Sequence, residues 1–432
     1  MIKKYDMQTL LKLTQFFMFC VLLVATGLAQ DDQSKDDTDK DDPSALLTGL
    51  KFRSIGPALM SGRIADIAIH PQNENIWYVA VGSGGVWKTE NAGTTWNSIF
   101  DGQVSYSIGC ITLDPQNPEI VWVGTGENVG GQHIGYGDGI YKSVDGGASW
   151  KNMGLEKSEH LSKIIIHPTN SDIMWVASQG PLWSSGGERG VYKTTDGGET
   201  WTRTLGDAEW VGATDLLIDP RDPDVLYAAT WQRHRTVAGY LGGGPGTALY
   251  KTTDGGDHWD KLSSGLPKSN MGKIGLAMSP MKPDVIYAAI ELDRRTGGVY
   301  RSLDRGATWE KMSDAVAGGT GPHYYQELFA SPHRYGELYL VNNYMLVSYD
   351  DGKTFDRMNE NEKHVDNHAI AFKKDDPNYI LVGCDGGLYE SFDRTENWKY
   401  VDNLPVTQFY KIAVDDAEPY YYVYGGTQDN NT

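Results

Sequence analysis

Two sets of side chains stand at spacings that could do chemistry. The first is His364-x-Asp366-x-His368. On an extended strand, positions i, i+2 and i+4 share one face, and two imidazoles with a carboxylate suit zinc or a similar divalent ion. A polar lining of satisfied histidines uses the same residues without a metal. The second set recurs along the chain in the pattern Ser/Thr-x-Asp-x-Gly-x-Thr-Trp: Asn91, Asp145, Asp196, Asp254, Asp304, Asp350 and Asp393 hold the central position. A carboxylate followed by Gly and Trp is a turn device: it accepts backbone N–H groups, Gly supplies the special backbone geometry, and the indole packs beneath. These seven residues are therefore read as structural, not as seven catalytic acids. Asn91 fits, since an amide oxygen accepts the same bonds.

The elements that position these groups follow from the repeat. The seven central residues are 54, 51, 58, 50, 46 and 43 apart. Ahead of each copy come an apolar strand ending in a Pro or Asp turn ("IADIAIHPQN", "IIIHPTN"), an aromatic-rich strand ("IWYVAVG", "IVWVGTG") and a short strand such as "GVYKTT". A fourth strand begins at the Trp. Each unit of about 50 residues is then a four-stranded antiparallel sheet, and radial repetition of such sheets makes a β-propeller. The expected fold is all-β: a seven-bladed β-propeller, with the start of a further blade or second propeller at the C-terminus. The expected segments are 1–29 signal peptide, 30–48 acidic tether, 49–408 propeller and 409–432 the beginning of the further unit, with the chain read as a fragment of a longer one.

Propeller geometry sorts the loops. First–second and third–fourth turns share one face, which takes the seven Asp turns. The long insertions fall on the other face and carry Glu127, His133, Tyr136, Trp183, Arg189, Trp231, Arg233, His234 and Arg235 among many Gly. Aromatic rings there stack on sugars and Arg pairs with carboxylates, so this looped face is the expected ligand-binding face. The segment around His364 is expected to enter the innermost strand of blade seven.

Composition excludes several classes. The 432 residues carry Lys+Arg 38 against Asp+Glu 57, a formal net charge of −19. Nucleic-acid binding needs a basic face and is not expected. With 13 Trp and 25 Tyr, most of the chain needs a core. Lys3, Lys4 and Lys12 precede an apolar run, Phe16 to Leu28, followed by small residues at Gly27 and Ala29. That run is short for a membrane span, which needs about 20 residues, and reads as a secretory signal. A secreted or periplasmic protein without a span after cleavage is expected. Asp31 to Asp42 cannot bury surface and reads as a solvated tether. Cys110 and Cys384 lie in different repeats and are expected as buried thiols; no cofactor is expected apart from a divalent ion on the His-x-Asp-x-His set.

The repeats "SVDGGASW" (Ser143–Trp150) and "TTDGGETW" (Thr194–Trp201) resemble Asp-box, or bacterial-neuraminidase-repeat, signatures. "FRSIGPALMSGRIADIAIHP" (Phe52–Pro71), "GSGGVWKTENAGTTW" (Gly82–Trp96) and "GGTQDN" (Gly425–Asn430) resemble a secreted group described as sortilin-N-terminal-like, itself similar to two-propeller xyloglucanases and the photosystem II assembly factor. The resemblance implies a polysaccharide or a peptide or protein as partner. For a xyloglucanase-like glycoside hydrolase it implies catalytic carboxylates: the Asp that precedes Gly-Gly is Asp385 in blade seven, Asp429 lies at a related strand end, and Ser83 stands where the first blade of that pattern has Asp. Such a hydrolase would be completed by a second propeller in the same chain.

Overall fold

The computed structural model describes residues 56–57, 59–131, 134–206, 209–292, 296–316 and 327–429. The leader and tether (1–48), His133 and Asn430 lie outside the described residues. The chain divides into two units, Met1–Gly56 and Pro57–Thr432, and every blade belongs to the second. No helix among the described residues is long and apolar enough to cross a membrane.

Seven four-stranded antiparallel sheets follow one another as the blades of a propeller. Blade one is Ile64–Ile69, Trp77–Val81, Gly85–Thr89 and Asn97–Ser98. Blade seven is Asn367–Phe372, Ile380–Cys384, Gly387–Ser391 and Lys399–Tyr400. The second strands are buried throughout, as in Trp77–Val81 and Met174–Ser178, because both of their faces meet neighbouring blades. The first strands line the axis. Several carry a bulge near their start, between Ile64 and Asp66, Ile108 and Cys110, and Ala213 and Asp215, which turns the next side chain in register.

The core lies between blades rather than within them. Tyr78, Val86 and Phe100 of blade one pack with Ile111, Val121 and Tyr141 of blade two, and an equivalent cluster fills each following interface. Ile64, Trp77 and Val79 pack with Ala369, Leu381 and Leu388, so blade seven returns to blade one and the ring closes. Among the described residues each blade takes all four strands from one continuous segment and no strand is exchanged between blades. Closure instead uses the flanking chain: Ser61 N–H donates to Val406 O at 2.7 Å, Gly62 N–H to Asp385 O at 3.2 Å, and the Tyr400 hydroxyl to Met60 O.

The repeated motif forms a tight corner between third and fourth strands. Asp145 Oδ1 accepts from Ser149 N–H and Ser143 Oγ, both at 2.8 Å, and Oδ2 accepts from Ser149 Oγ at 2.6 Å. These bonds hold its carboxyl down at about 2. Asp196 and Asp304 repeat the arrangement, and Asn91 Oδ1 accepts Thr95 N–H at 2.8 Å in the amide version. The indoles then reach backward: Trp150 Nε1 donates to Ile99 O at 2.7 Å, Trp201 to Met153 O at 2.8 Å and Trp398 to Asn359 O at 2.7 Å, each in the preceding blade. The seventh copy lacks its glycine, and Thr395 takes that place at φ 80° while its N–H still reaches Ser391 Oγ at 2.7 Å.

A two-stranded sheet, Phe409–Val414 with Val423–Thr427, follows blade seven. Its first strand is exposed along its whole length. Cys110 and Cys384 are both buried free thiols, and burial pushes Cys384 up to about 12.

Candidate functional site

The first residue of the site is Arg63, at the entry to the first strand of blade one. Its Nε donates to Asp385 Oδ1 at 2.6 Å and its Nη2 to Asp385 Oδ2 at 3.0 Å, a two-pronged, charge-assisted pair. Asp385 occupies the two-residue turn between the second and third strands of blade seven. The turn is close-packed: a Cβ on Gly386 would lie 2.5 Å from the His364 Cβ. His368, on the adjoining first strand, brings Nε2 to 2.6 Å from the same Oδ1. Burial pushes the Asp385 carboxyl up, but His368 and Arg63 outweigh it and hold the group well below the usual carboxylate range.

Glu127, just past the second strand of blade two, completes the set. Its carboxylate lies 3.4–3.5 Å from Arg63 Nη1. Gly82 makes room, since a Cβ there would stand 2.4 Å from Glu127 Oε1. Burial pushes Glu127 up to about 7, with Arg63 pulling it down and Asp385 pushing it up. One guanidinium thus links blades one, two and seven and holds two carboxyls of opposite tendency. A cavity of about 160 Å³ lies beside it, lined by Gly62, Ser83, Trp87, Val406 and Gln408.

Asp429 reaches this region from the end of the extra sheet. Burial raises its carboxyl, and a hydrogen bond with Asp385 raises it further. Asp366, Asp385 and Asp429 offer ligand oxygens within 4.8 Å of one another. Oxygen-only donors suit a hard cation, but Asp385 is already engaged by Arg63 and His368, and Asp366 Oδ1 accepts from Asn343 Nδ2. The three residues of the His-x-Asp-x-His set are placed differently from one another. The strand begins at Asn367 and Asp366 is at φ 62°, so the alternation of an extended strand does not run through the segment. His364 Nδ1 lies 2.6 Å from Val365 O, and His368 faces Asp385.

The insertions of blades two to four are cross-braced by buried arginines. Arg189 donates to Gln179 O at 3.0 Å and Gly186 O at 2.7 Å. Arg233 donates to Val129 O at 2.8 Å and Gly180 O at 3.0 Å, and lies over the Trp231 ring. Arg235 Nε donates to Gly130 O at 3.0 Å over the Tyr240 ring. Trp231 is buried, its indole on Gly242 O at 2.9 Å, and His234 packs on Trp210. Trp183 is partly buried against Val129, Ile134 and Leu182. Tyr136 is 57% exposed and Tyr106 65%, on the same face. Arg63 is the residue that repeat reading misses: "SGRIADI" shows only an Arg before a strand, and its partner is 322 positions away.

The profile of the family described as "Sortilin, neurotensin receptor 3" matches residues 138–291. A xyloglucanase of Hypocrea jecorina is 23% identical over 283 residues, 58% of this chain and 32% of that protein. Among solved structures, the GH74 xyloglucanase from Xanthomonas campestris has a TM-score of 0.64 at 13% identity, covering 87% of this chain and 59% of that one. YCF48 from Cyanidioschyzon merolae has a TM-score of 0.51 at 16% identity, covering 80% of this chain and 99% of that one. A structure of YCF48 bound to D1 peptide scores 0.51 at 14%, covering 80% and 98%. The chain is a seven-bladed β-propeller that is similar over residues 138–291 to the sortilin family and distantly similar to xyloglucanases. It spans about a third of the curated xyloglucanase it matches.

Proposed function

We propose that this chain is an exported binding propeller that engages a polysaccharide through its looped face. The supporting observation is the bracing of that face. Arg189, Arg233 and Arg235 pin the insertions from within, while Tyr136 of the blade-two insertion stays exposed. Rings held on a rigid support lose little freedom on binding, and flat rings stack on sugars. The similarity to xyloglucanases directs the first test. Titration with xyloglucan oligosaccharides is expected to give saturable binding that Tyr136→Ala weakens about tenfold, roughly the 1.4 kcal/mol that tenfold represents. Binding to peptides but to no glycan would transfer the reading to a peptide receptor, the ligand class of the YCF48 complex. Binding to neither would remove it.

A second reading, half of a two-propeller glycoside hydrolase, is favoured by Asp385 and Asp429. Their oxygens come within 4.8 Å, and their surroundings push one carboxyl down and the other up. Such divergence is how acid and base roles are divided, and close carboxyls suit retention of configuration. Release of reducing ends from xyloglucan that Asp429→Asn abolishes would establish it; unchanged release would discard it.

A further inference from the structure

The axis of the ring holds a cavity of about 210 Å³, lined by the first strands of several blades. Asp66 of blade one and Asp215 of blade four face it. Each carboxylate is fixed by its own strand and the next: Asp66 accepts from Ile67 N–H at 2.8 Å and Ile111 N–H at 2.9 Å, and Asp215 from Leu216 N–H and Leu276 N–H, both at 2.8 Å. Lys163 of blade three lines the same cavity; burial pushes its ammonium down, and Asp215, Asp66 and Glu327 outweigh this and raise it. Glu327 has its own cation, Lys273, at 3.8 Å. Among the described residues the cavity therefore sets Asp66 and Asp215 against Lys163, one negative charge in excess. Burial pushes both carboxyls up to about 6, with Lys163 pulling each of them down.

Neutral acceptors complete the wall. Asn128 Oδ1 and Thr214 Oγ1 are buried against this cavity without a hydrogen-bond partner. Buried polar atoms are ordinarily paired. The volume exceeds what a bare ion needs, since one water takes about 30 Å³.

We propose that the axial cavity binds a small organic ammonium compound bearing hydroxyl groups, its ammonium on Asp66 and Asp215 and its hydroxyls on Asn128, Thr214 and Lys163. The site is separate from Arg63 and from the exposed rings of the looped face, and does not depend on what that face binds.

The test is calorimetric titration of the full chain with glucosamine hydrochloride, with glucose as the neutral molecule of the same shape and potassium chloride as the bare cation, at fixed ionic strength. Saturable binding of glucosamine is expected, with glucose and potassium at least tenfold weaker. Asp215→Asn is expected to weaken glucosamine binding at least tenfold. Thr214→Val removes a hydroxyl that has no partner in the fold, so it is expected to weaken binding severalfold while leaving the melting temperature in place. Equal binding of glucose, equal binding of potassium, no glucosamine binding, or binding unchanged in Thr214→Val would each overturn the proposal.

Discussion

Arg63 and Asp385 are 322 residues apart in sequence and share two hydrogen bonds of 2.6 and 3.0 Å at the seam between the first and last blades. The pair is almost wholly buried. It seals the ring with charge where no strand is shared, and apolar packing of Ile64 on Ala369 and Leu381 surrounds it.

Removing one partner is expected to cost far more than a surface ion pair. Arg63→Met leaves Asp385 to His368 and Asp429 and takes the guanidinium at 3.4–3.5 Å away from Glu127. Breaking a buried pair costs about 3–5 kcal/mol. Urea denaturation should show that loss for Arg63→Met, and a loss below about 1 kcal/mol would show that the seam does not need the pair.

Glu127 makes stability depend on pH with a definite sign. Its folded carboxyl is raised to about 7 from 4.5, so between those values the folded state holds the proton more tightly than the unfolded one. Its contribution is complete below about pH 4.5 and is lost as pH rises through about 7, on the order of 3 kcal/mol in all. Asp385 acts oppositely, contributing above the ordinary carboxylate range and failing only in stronger acid. Glu127→Gln should flatten the slope of unfolding free energy between pH 4.5 and 7 relative to the parent chain; the same slope in both would refute the assignment.

Gly82 and Glu127 should behave as a coupled pair. A Cβ at Gly82 meets Oε1 at 2.4 Å, so Gly82→Ala displaces the carboxylate from Arg63. In a double-mutant cycle with Glu127→Ala, the two losses are expected to be non-additive by about 0.5–3 kcal/mol. Additive losses would place the clash elsewhere.

The backward-reaching indoles offer a smaller measure. Trp150→Phe keeps a ring in the corner but removes the donor to Ile99 O at 2.7 Å. The expected cost is about 1 kcal/mol, with more if the carbonyl is left dry. Thermal unfolding of this variant beside Trp201→Phe should give similar shifts, since both indoles make the same inter-blade bond.

Thr395 is expected to be improvable. It sits at φ 80° where the other copies of the motif place Gly. A β-branched residue is strained there by roughly 1–2 kcal/mol, so Thr395→Gly should raise the melting temperature. A fall would mean that the threonine side chain repays its strain.

Repetition explains why the architecture was readable. The Asp and Gly of each corner act within the eight-residue motif, so their chemistry is written locally, and the degraded copy at Ser391–Trp398 keeps enough of it to be recognised, whereas the bonds of Trp150, Trp201 and Trp398 to the preceding blade are not local. Propeller loop geometry placed Glu127 on the looped face, and the family resemblance singled out Asp385 and Asp429. What escaped was whatever depends on two distant blades meeting. Arg63 is one example. Asp66, Lys163 and Asp215 are another: each reads as a lone charge in an apolar strand, and only closure makes them neighbours. The arginines of the insertions were legible as a cluster but not as braces, because carbonyl partners leave no mark in sequence.

The first corner also depends on the last. Trp96 Nε1 meets Asn403 Oδ1 at 3.2 Å, and Asn403 Nδ2 caps the carbonyls of Gly93 and Thr94, both at 2.9 Å. A growing nascent chain therefore emerges from the ribosome with its opening sheet uncapped, and that sheet waits through some three hundred residues of synthesis for its partner. Until then its apolar flank is available to chaperones and to other chains, and the wait lengthens with slower translation.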